Sequence, residues 1–267
     1  MKIKILIPVY NDWQSAFKLL ENINSEVLNL EHEFSVIIVN DASTEVRPEL
    51  SINLDNLNSI KIINMKENRG HARCNASGLK HIFENEEFDY VIPMDGDGED
   101  RPEEIKQLVD NLNYHPDKPI VGERIKRSEG TFFKFCYFAH KLITSTFTGQ
   151  SIKYGNYTCL PKLIVEKMIN EKATWSSFSG ALAKVAKDRA PVPSERGKRY
   201  FGPSKMSFKN LLIHSLSIVS VFKVNVLIRS ILFLLVYFFL IHQNITTIML
   251  IPVLFVFILI VLVIVIS

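Results

Sequence analysis

The strongest constraint on the fold is a series of short apolar runs that alternate with helix-like segments through the first 123 residues. The apolar runs are rich in β-branched residues, which favour strands, whereas the segments between them carry apolar residues at helical spacing. We expect strands at 2–9, 34–40, 59–65, 90–94 and 119–123, and helices near 13–30, 71–84 and 102–113. This alternation predicts an α/β domain with a mainly parallel sheet, helices on its faces and right-handed crossovers.

A polar cluster follows each of the first four predicted strands. The clusters read "YND", "DAST", "ENRGHAR" and "DGDGED" in chain order. Ligands of parallel sheets bind beyond the carboxyl ends of the strands. The sequence therefore predicts one binding site that all four clusters share.

The acidic cluster is the candidate metal site. Asp95 and Asp97 flank Gly96, which lets the chain approach a ligand closely. Carboxylate oxygens suit hard divalent cations such as magnesium or manganese. A helix–loop–helix calcium site is excluded because its Gly and bidentate Glu are absent at the required spacing. A solvated acidic turn remains the alternative, and we expect Asp100 to cap a helix that begins at Pro102.

Two further clusters have the chemistry of nucleotide binding. Asp41 and Ser43 lie in a turn where they can bond a base edge or ribose hydroxyls, or simply cap the turn. Arg199, Ser204 and Lys205 surround a glycine in "RYFGPSK" and suit phosphate binding. The same basic loop also suits contact with anionic lipid.

Charge and hydropathy divide the chain into three parts. Residues 1–117 carry a net charge of −11 and residues 118–209 carry +12, within a total of +3. Residues 224–241 and 245–266 are each close to the roughly 20 apolar residues that cross a bilayer. Basic residues before the first span favour a cytoplasmic location for the preceding part. Residues 207–223 have helical amphipathic spacing, which fits either the membrane surface or packing on the domain.

The three cysteines predict neither a disulfide framework nor a zinc site. Cys74, Cys136 and Cys159 are odd in number, widely spaced and lack a CxxC pair. We expect three reduced thiols. The opening "MKIKILIPVYND" also lacks a secretory signal, because its apolar run is short and leads into a polar turn.

The motifs form an ordered set that resembles a known family. "IPVYND", "VNDAST", "NRGHARCNASGL", "MDGDGEDRPEE", "GERIKR" and "RYFGPSK" are similar to the motif series of family 2 glycosyltransferases with the GT-A fold. They resemble most the polyprenyl-phosphate sugar synthases, such as dolichyl-phosphate mannose synthase and bacterial glucosyl carriers with C-terminal membrane helices. The resemblance implies a GT-A domain at 1–206, an amphipathic interfacial helix at 207–223 and two transmembrane helices at 224–267.

The resemblance also implies roles for individual residues. The base and ribose of a nucleoside-diphosphate sugar would contact Pro8, Tyr10, Asp12 and Asp41. A Mg²⁺ or Mn²⁺ ion would be held by Asp95 and Asp97, with Glu99 as an auxiliary. The donor or acceptor phosphates would be approached by Arg124, Arg199, Ser204 and Lys205. Arg124 and Lys205 would aid the metal pair in neutralising the leaving diphosphate, and transfer would invert the sugar carbon.

The sequence departs from the family pattern in places that bear on the acceptor. Asn40 and Ala42 replace the usual Asp and Gly of "VDDGS", and "KYGNYTCLP" stands where many relatives have an Asp-containing "DxxSGF" segment. Between Glu129 and Glu166 there is no acidic residue, only His140. A hydroxyl acceptor needs a general base, whereas a phosphate is already an anion. We therefore expect a polyprenyl-phosphate acceptor.

Other functions stay open on the sequence alone. The acceptor could be a hydroxyl of an envelope glycan or glycolipid, or the chain could be a nucleotide-binding membrane protein without activity. A nucleotidyltransferase is disfavoured because "PVYND" is unlike its Gly-rich basic loop. The expected partners are a sugar nucleotide, the acceptor and the lipid bilayer, with no nucleic acid; a homo-oligomer is compatible with the sequence.

Overall fold

The computed structural model describes residues 1–49, 53–126, 141–203 and 208–266. These residues form two compact units. The first lies within Met1–Arg127 and Lys153–Lys205, and the second lies within Ser128–Ile152 and Met206–Ser267. The segment between β5 and β6 of the first unit thus belongs to the same unit as the C-terminal helices.

The first unit is built on a seven-stranded sheet of the described residues. Its strands are β1 (Lys2–Val9), β2 (Glu33–Asn40), β3 (Ser59–Asn64), β4 (Tyr90–Pro93), β5 (Ile120–Lys126), β6 (Tyr154–Pro161) and β7 (Ala190–Glu195). Their order across the sheet is β3-β2-β1-β4-β6-β5-β7. Neighbouring strands are parallel except β6, which is antiparallel to β4 and β5. The predicted α/β class with a mainly parallel sheet is confirmed.

Helices cover both faces of this sheet. They are α1 (Trp13–Val27), α2 (His71–Asn85), α3 (Ile105–Asp110), α5 (Lys162–Asn170) and α6 (Phe178–Val185). Successive residues of a strand point to opposite faces. Ile5 therefore packs in the cluster that includes α1 and α3. Leu6 packs in the cluster that includes α2, α5 and α6. The central strands are buried on both faces, which explains their continuous apolar runs.

Two features of the first unit differ from the sequence expectations. The segment 102–113 contains α3 between short 3₁₀ turns at Pro102–Glu104 and Asn111–Asn113, rather than one helix. Asp100 does not cap it, because Arg101 holds the cap position and makes no side-chain capping bond.

Cys74 and Cys159 are buried free thiols, as expected, whereas Cys136 lies outside the described residues.

The described residues of the second unit are mainly helical. They are α4 (141–148), α7 (Phe208–Ser220), α8 (Lys223–Ile241) and α9 (Ile251–Ile266). Their shared core contains Phe147, Val219, Val226, Val256, Leu259 and Val263. Lys223–Ile241 and Thr247–Ile266 are long and apolar enough to cross a membrane. The hydroxyl of Tyr237 donates to the carbonyl of Met249 at 2.9 Å and ties α8 to the start of the second apolar helix.

Polar side chains of α8 cap the end of α4. Arg229 Nη1 donates to the carbonyl of Thr146 at 3.0 Å, and Asn225 Nδ2 donates to the carbonyl of Thr148 at 3.1 Å. The last carbonyls of a helix have no partner within the helix. These two bonds satisfy two of them and also pair the arginine, which would otherwise be costly in an apolar helix.

Candidate active site

The strand order brings the polar ends of β1, β2 and β4 together. β1 lies between β2 and β4 and is parallel to both. Asn11 follows β1, and its backbone N–H donates to Ser43 Oγ, beyond the end of β2, at 2.9 Å. On the other side, Gly96 follows β4 so closely that a Cβ there would lie 3.1 Å from the carbonyl oxygen of Pro8. The predicted convergence of these loops at one edge is therefore present.

The turn after β2 anchors the start of α2. Asp41 is 4% exposed, and its two carboxylate oxygens accept from the backbone N–H groups of Arg69 and Gly70, each at 2.8 Å. Ala42 adopts a φ of +55°, in the left-handed region. Asp41 thus fixes the backbone at which α2 begins. Its contact with base or ribose, and that of Ser43, stay predictions.

Asp95 is held from several directions. His71 Nε2 lies 2.9 Å from Asp95 Oδ1, and Asn156 Nδ2 lies 3.4 Å from the same oxygen. The backbone N–H of Asp95 donates to Asp100 Oδ2 at 2.9 Å. Burial raises the pKa of Asp95, but the adjacent His71 and the charge of Arg124 outweigh it and hold this pKa below its ordinary value. Asp95 is therefore ionised in the neutral pH range.

Arg199 bridges Asp97 and Asp12. Its Nη2 lies 2.6 Å from Asp12 Oδ2, and its Nη1 donates to Asp97 Oδ2. All three side chains are less than one-fifth exposed. Burial and the neighbouring Asp95 raise the pKa of Asp97 to about 6, against the opposing effect of Arg199. Arg199, predicted to bind phosphate, is placed by the structure against the acidic loop.

The rest of the basic segment also lies on this loop. Arg196 pairs with Glu99, and the backbone N–H of Tyr200 donates to the carbonyl of Asp97 at 2.9 Å. The ring of Tyr200 covers Gly98, whose φ is +89° and where a Cβ would lie 2.5 Å from the ring. Glu99, predicted as an auxiliary metal ligand, is thus paired with a guanidinium. The acidic loop and the basic segment compensate each other's charge.

Asp100 has a structural role at the base of the loop. It is 6% exposed and accepts the backbone N–H of Asp95. Burial and the nearby Asp95 raise its pKa to about 8. This bond, rather than the predicted helix cap, accounts for the fourth acid of "DGDGED".

The remaining predicted residues lie near this edge or outside the described residues. Tyr10 follows β1 and is 40% exposed. Arg124, on β5, packs over β6, since a Cβ at Gly155 would lie 3.2 Å from its Nη2. Ser204 and Lys205 lie outside the described residues. The sequence analysis did not assign His71 or Asn156 to the site. His71 lies in the motif "NRGHARCNASGL", and Asn156 lies in the segment "KYGNYTCLP".

The donor set fits a hard divalent cation. Among the described residues, no group of three or more His, Cys, Asp or Glu side chains is arranged to hold a metal ion. Asp95 and Asp97 offer two carboxylates, and Mg²⁺ typically takes one or two carboxylates and completes its shell with substrate phosphates and water. The residues present fit a cation that is shared with a diphosphate rather than one in a complete protein cage.

Comparison with known proteins identifies the family. The family model "Glycosyl transferase family 2" matches residues 4–162, which include most of β1, all of β2 to β6 and the acidic loop. The chain belongs to glycosyl transferase family 2. The part that matches this family contains Asp12, Asp41, Asp95 and Asp97, while the basic segment after β7 lies beyond it.

Solved structures share the fold of this family 2 chain. TarS of S. aureus superposes with a TM-score of 0.51 at 13% identity over 86% of this chain, which spans 42% of TarS. Glucosyl-3-phosphoglycerate synthase of Mycobacterium tuberculosis, in complex with Mn²⁺, UDP and glucosyl-3-phosphoglycerate, superposes with a TM-score of 0.58 at 13% identity. The match covers 84% of this chain and 79% of the synthase. The mannosyltransferase PcManGT of Pyrobaculum calidifontis, in complex with GDP-Man and Mn²⁺, superposes with a TM-score of 0.57 at 14% identity. The match covers 84% of this chain and 64% of PcManGT.

Proposed function

We propose that the protein is a membrane-bound inverting glycosyltransferase that moves a sugar from a nucleoside-diphosphate sugar to a polyprenyl phosphate. The observation that carries the donor half is the pair Asp95 and Asp97, which follows β4 beside the loops after β1 and β2. Family membership supports glycosyl transfer. The identity of the acceptor and the membrane location go beyond what family membership supports, and they depend on the features described next.

The donor diphosphate would be bound through a divalent metal at Asp95 and Asp97. A bound Mg²⁺ or Mn²⁺ ion supplies positive charge that neutralises the departing diphosphate. The fold neighbours solved with Mn²⁺ and a nucleotide or sugar nucleotide support this assignment. Arg124 and Lys205 add positive charge for the same leaving group. Tyr10, exposed beyond β1, offers an aromatic face for the base.

The acceptor is inferred from how the acids of the site are engaged. Within the described residues, six acidic side chains of the three loops already meet a cation or a backbone N–H: Asp12, Asp41, Asp95, Asp97, Glu99 and Asp100. The β6 side chain that reaches Asp95 is the amide of Asn156, which is no general base. A phosphate acceptor needs no base because its oxygen is already ionised. Direct attack by that oxygen inverts the sugar carbon.

The C-terminal helices support a lipid acceptor. Two helices of this chain are long and apolar enough to cross a bilayer, and most of their large apolar side chains are exposed. We propose that 224–267 spans the membrane twice, that 207–223 lies at its surface and that the domain at 1–206 faces the cytoplasm. The positive charge of residues 118–209 suits a lipid phosphate at an anionic membrane surface.

Radiolabelled sugar transfer tests this proposal. Membranes containing the full chain are incubated with labelled UDP- or GDP-sugars, Mn²⁺ and added polyprenyl phosphate. The proposal expects label in a lipid that mild acid releases, as a sugar phosphate linkage requires, and no label with Asp97→Asn. Label found only on hydroxyls of glycans or glycolipids would contradict the acceptor and favour the second candidate, a glycan- or glycolipid-directed transferase.

A further inference from the structure

His71 lies in the site without a role in the donor chemistry described above. Its ring contacts Asp95 through Nε2 at 2.9 Å, and its side chain is 38% exposed. Two amides flank the ring: Asn75 Nδ2 lies 3.4 Å from Nε2, and Asn156 Nδ2 lies 3.4 Å from both ring nitrogens. Asn75 is 1% exposed, so the ring rests against a buried polar neighbour. A histidine confined in this way has little rotational freedom.

The position of His71 is itself fixed by Asp41. His71 is the first residue of α2, and Gly70 before it has a φ of +85°. The backbone N–H groups of Arg69 and Gly70 both donate to the carboxylate of Asp41. A buried carboxylate after β2 therefore holds the backbone that presents His71 to the loop after β4.

Among the described residues, the contacts leave one oxygen of Asp95, Oδ2, for a ligand. Oδ1 is taken by His71 and Asn156, and the backbone N–H of Asp95 is fixed by Asp100. Ligating side chains in metal sites are themselves hydrogen-bonded by a second set of residues, which sets their orientation and affinity. Here that second set comes from α2 and β6, two elements distant in sequence from the acidic loop.

We propose that His71 is a positioning residue that orients the Asp95 carboxylate, so that its Oδ2 faces the divalent cation of the sugar nucleotide. Asn156, whose Nδ2 lies 3.4 Å from the same oxygen and 3.4 Å from the His71 ring, assists. This inference rests on the proposed function, which assigns the cation to Asp95 and Asp97. Removal of such a positioning partner typically costs 10- to 100-fold in metal affinity.

Mn²⁺ binding tests the role of His71. The full chain in detergent is titrated with Mn²⁺ in the presence of excess UDP or GDP, and protein-bound Mn²⁺ is followed by electron paramagnetic resonance against a protein-free Mn²⁺–nucleotide reference. His71→Ala should weaken Mn²⁺ affinity about 10- to 100-fold, and His71→Gln, which keeps an N–H donor, should recover most of the loss. His81→Ala removes a histidine from the same helix, 4.0 Å from Glu86 and outside the site, and should leave the affinity unchanged.

The outcomes separate this inference from the proposed function. Mn²⁺ binding that is abolished by Asp97→Asn but unchanged by His71→Ala would overturn the positioning role alone. No Mn²⁺ binding by the wild type, or binding that survives Asp97→Asn, would overturn the metal assignment and the positioning role with it. Equal losses in His71→Ala and His71→Gln, with lowered thermal stability in both, would show a packing role and also overturn the inference.

Discussion

Replacing Ala42 with glycine should stabilise the first unit. Ala42 has a φ of +55°, where the Cβ of an L-residue crowds the following carbonyl and costs roughly 1–2 kcal/mol. Glycine has no Cβ, but it loses more conformational freedom on folding, which offsets roughly 0.5–1 kcal/mol of the gain. Ala42 is only half-buried, so the loss of its methyl group adds little. We expect a net gain of about 1 kcal/mol in the free energy of unfolding.

Tryptophan fluorescence gives an assay specific to this unit. The two tryptophans of the chain, Trp13 and Trp175, both lie in the first unit, and Trp13 is 3% exposed. A gain of about 1 kcal/mol raises the Tm of a domain of this size class by roughly 2–4 °C. Ala76→Gly is the matched control, because Ala76 is 2% exposed within α2 and glycine there should cost about 1 kcal/mol. A Tm lowered by both substitutions would refute the argument from backbone strain.

Two further substitutions probe charge and close packing. Glu86 is 8% exposed; burial raises its pKa, but hydrogen bonds from two lysines outweigh this and hold it below the ordinary value of 4.5. Its contribution is therefore complete above 4.5 and is lost as the pH falls through the folded pKa. E86Q should lose about 1 kcal/mol at pH 7, because one of its two partners, Lys61, is half exposed, and should converge with the wild type in acid, in denaturant titrations. Gly98→Ala should lower the Tm more than Gly70→Ala, since both have positive φ but only Gly98 faces the Tyr200 ring; equal shifts would contradict this.

The central strands could be predicted from sequence because burial on both faces demands apolar, β-branched residues. β1 was predicted with its observed bounds. β7 was not predicted, because Pro191 and Pro193 interrupt its run. Proline is tolerated in edge strands, and among the described strands β7 pairs only with β5. β6 is also absent from the strands expected from the sequence, because its polar "YGN" start has little strand preference.

The sequence predicts that the site residues lie at neighbouring strand ends, but it does not predict which of their side chains contact each other. Parallel topology dictates that the loops after β1, β2 and β4 meet, so the convergence of Asp12, Asp41 and Asp95 follows from the strand pattern alone. The pairing of Arg199 with Asp12 and Asp97 joins residues from three distant parts of the chain. No local pattern encodes such a contact, since it depends on the path of the chain after β7.

Nucleotide-dependent stabilisation tests the central claim most directly. The Tm of the first unit is measured by tryptophan fluorescence with Mn²⁺ and either UDP or GDP, for the wild type and for Asp97→Asn. Binding at 100 times the Kd adds about 2.7 kcal/mol to the free energy of unfolding, so one of the two nucleotides should raise the wild-type Tm by several degrees. The shift should vanish in Asp97→Asn. No shift in the wild type with either nucleotide, or the same shift in the variant, would contradict a metal-bridged sugar nucleotide at this site.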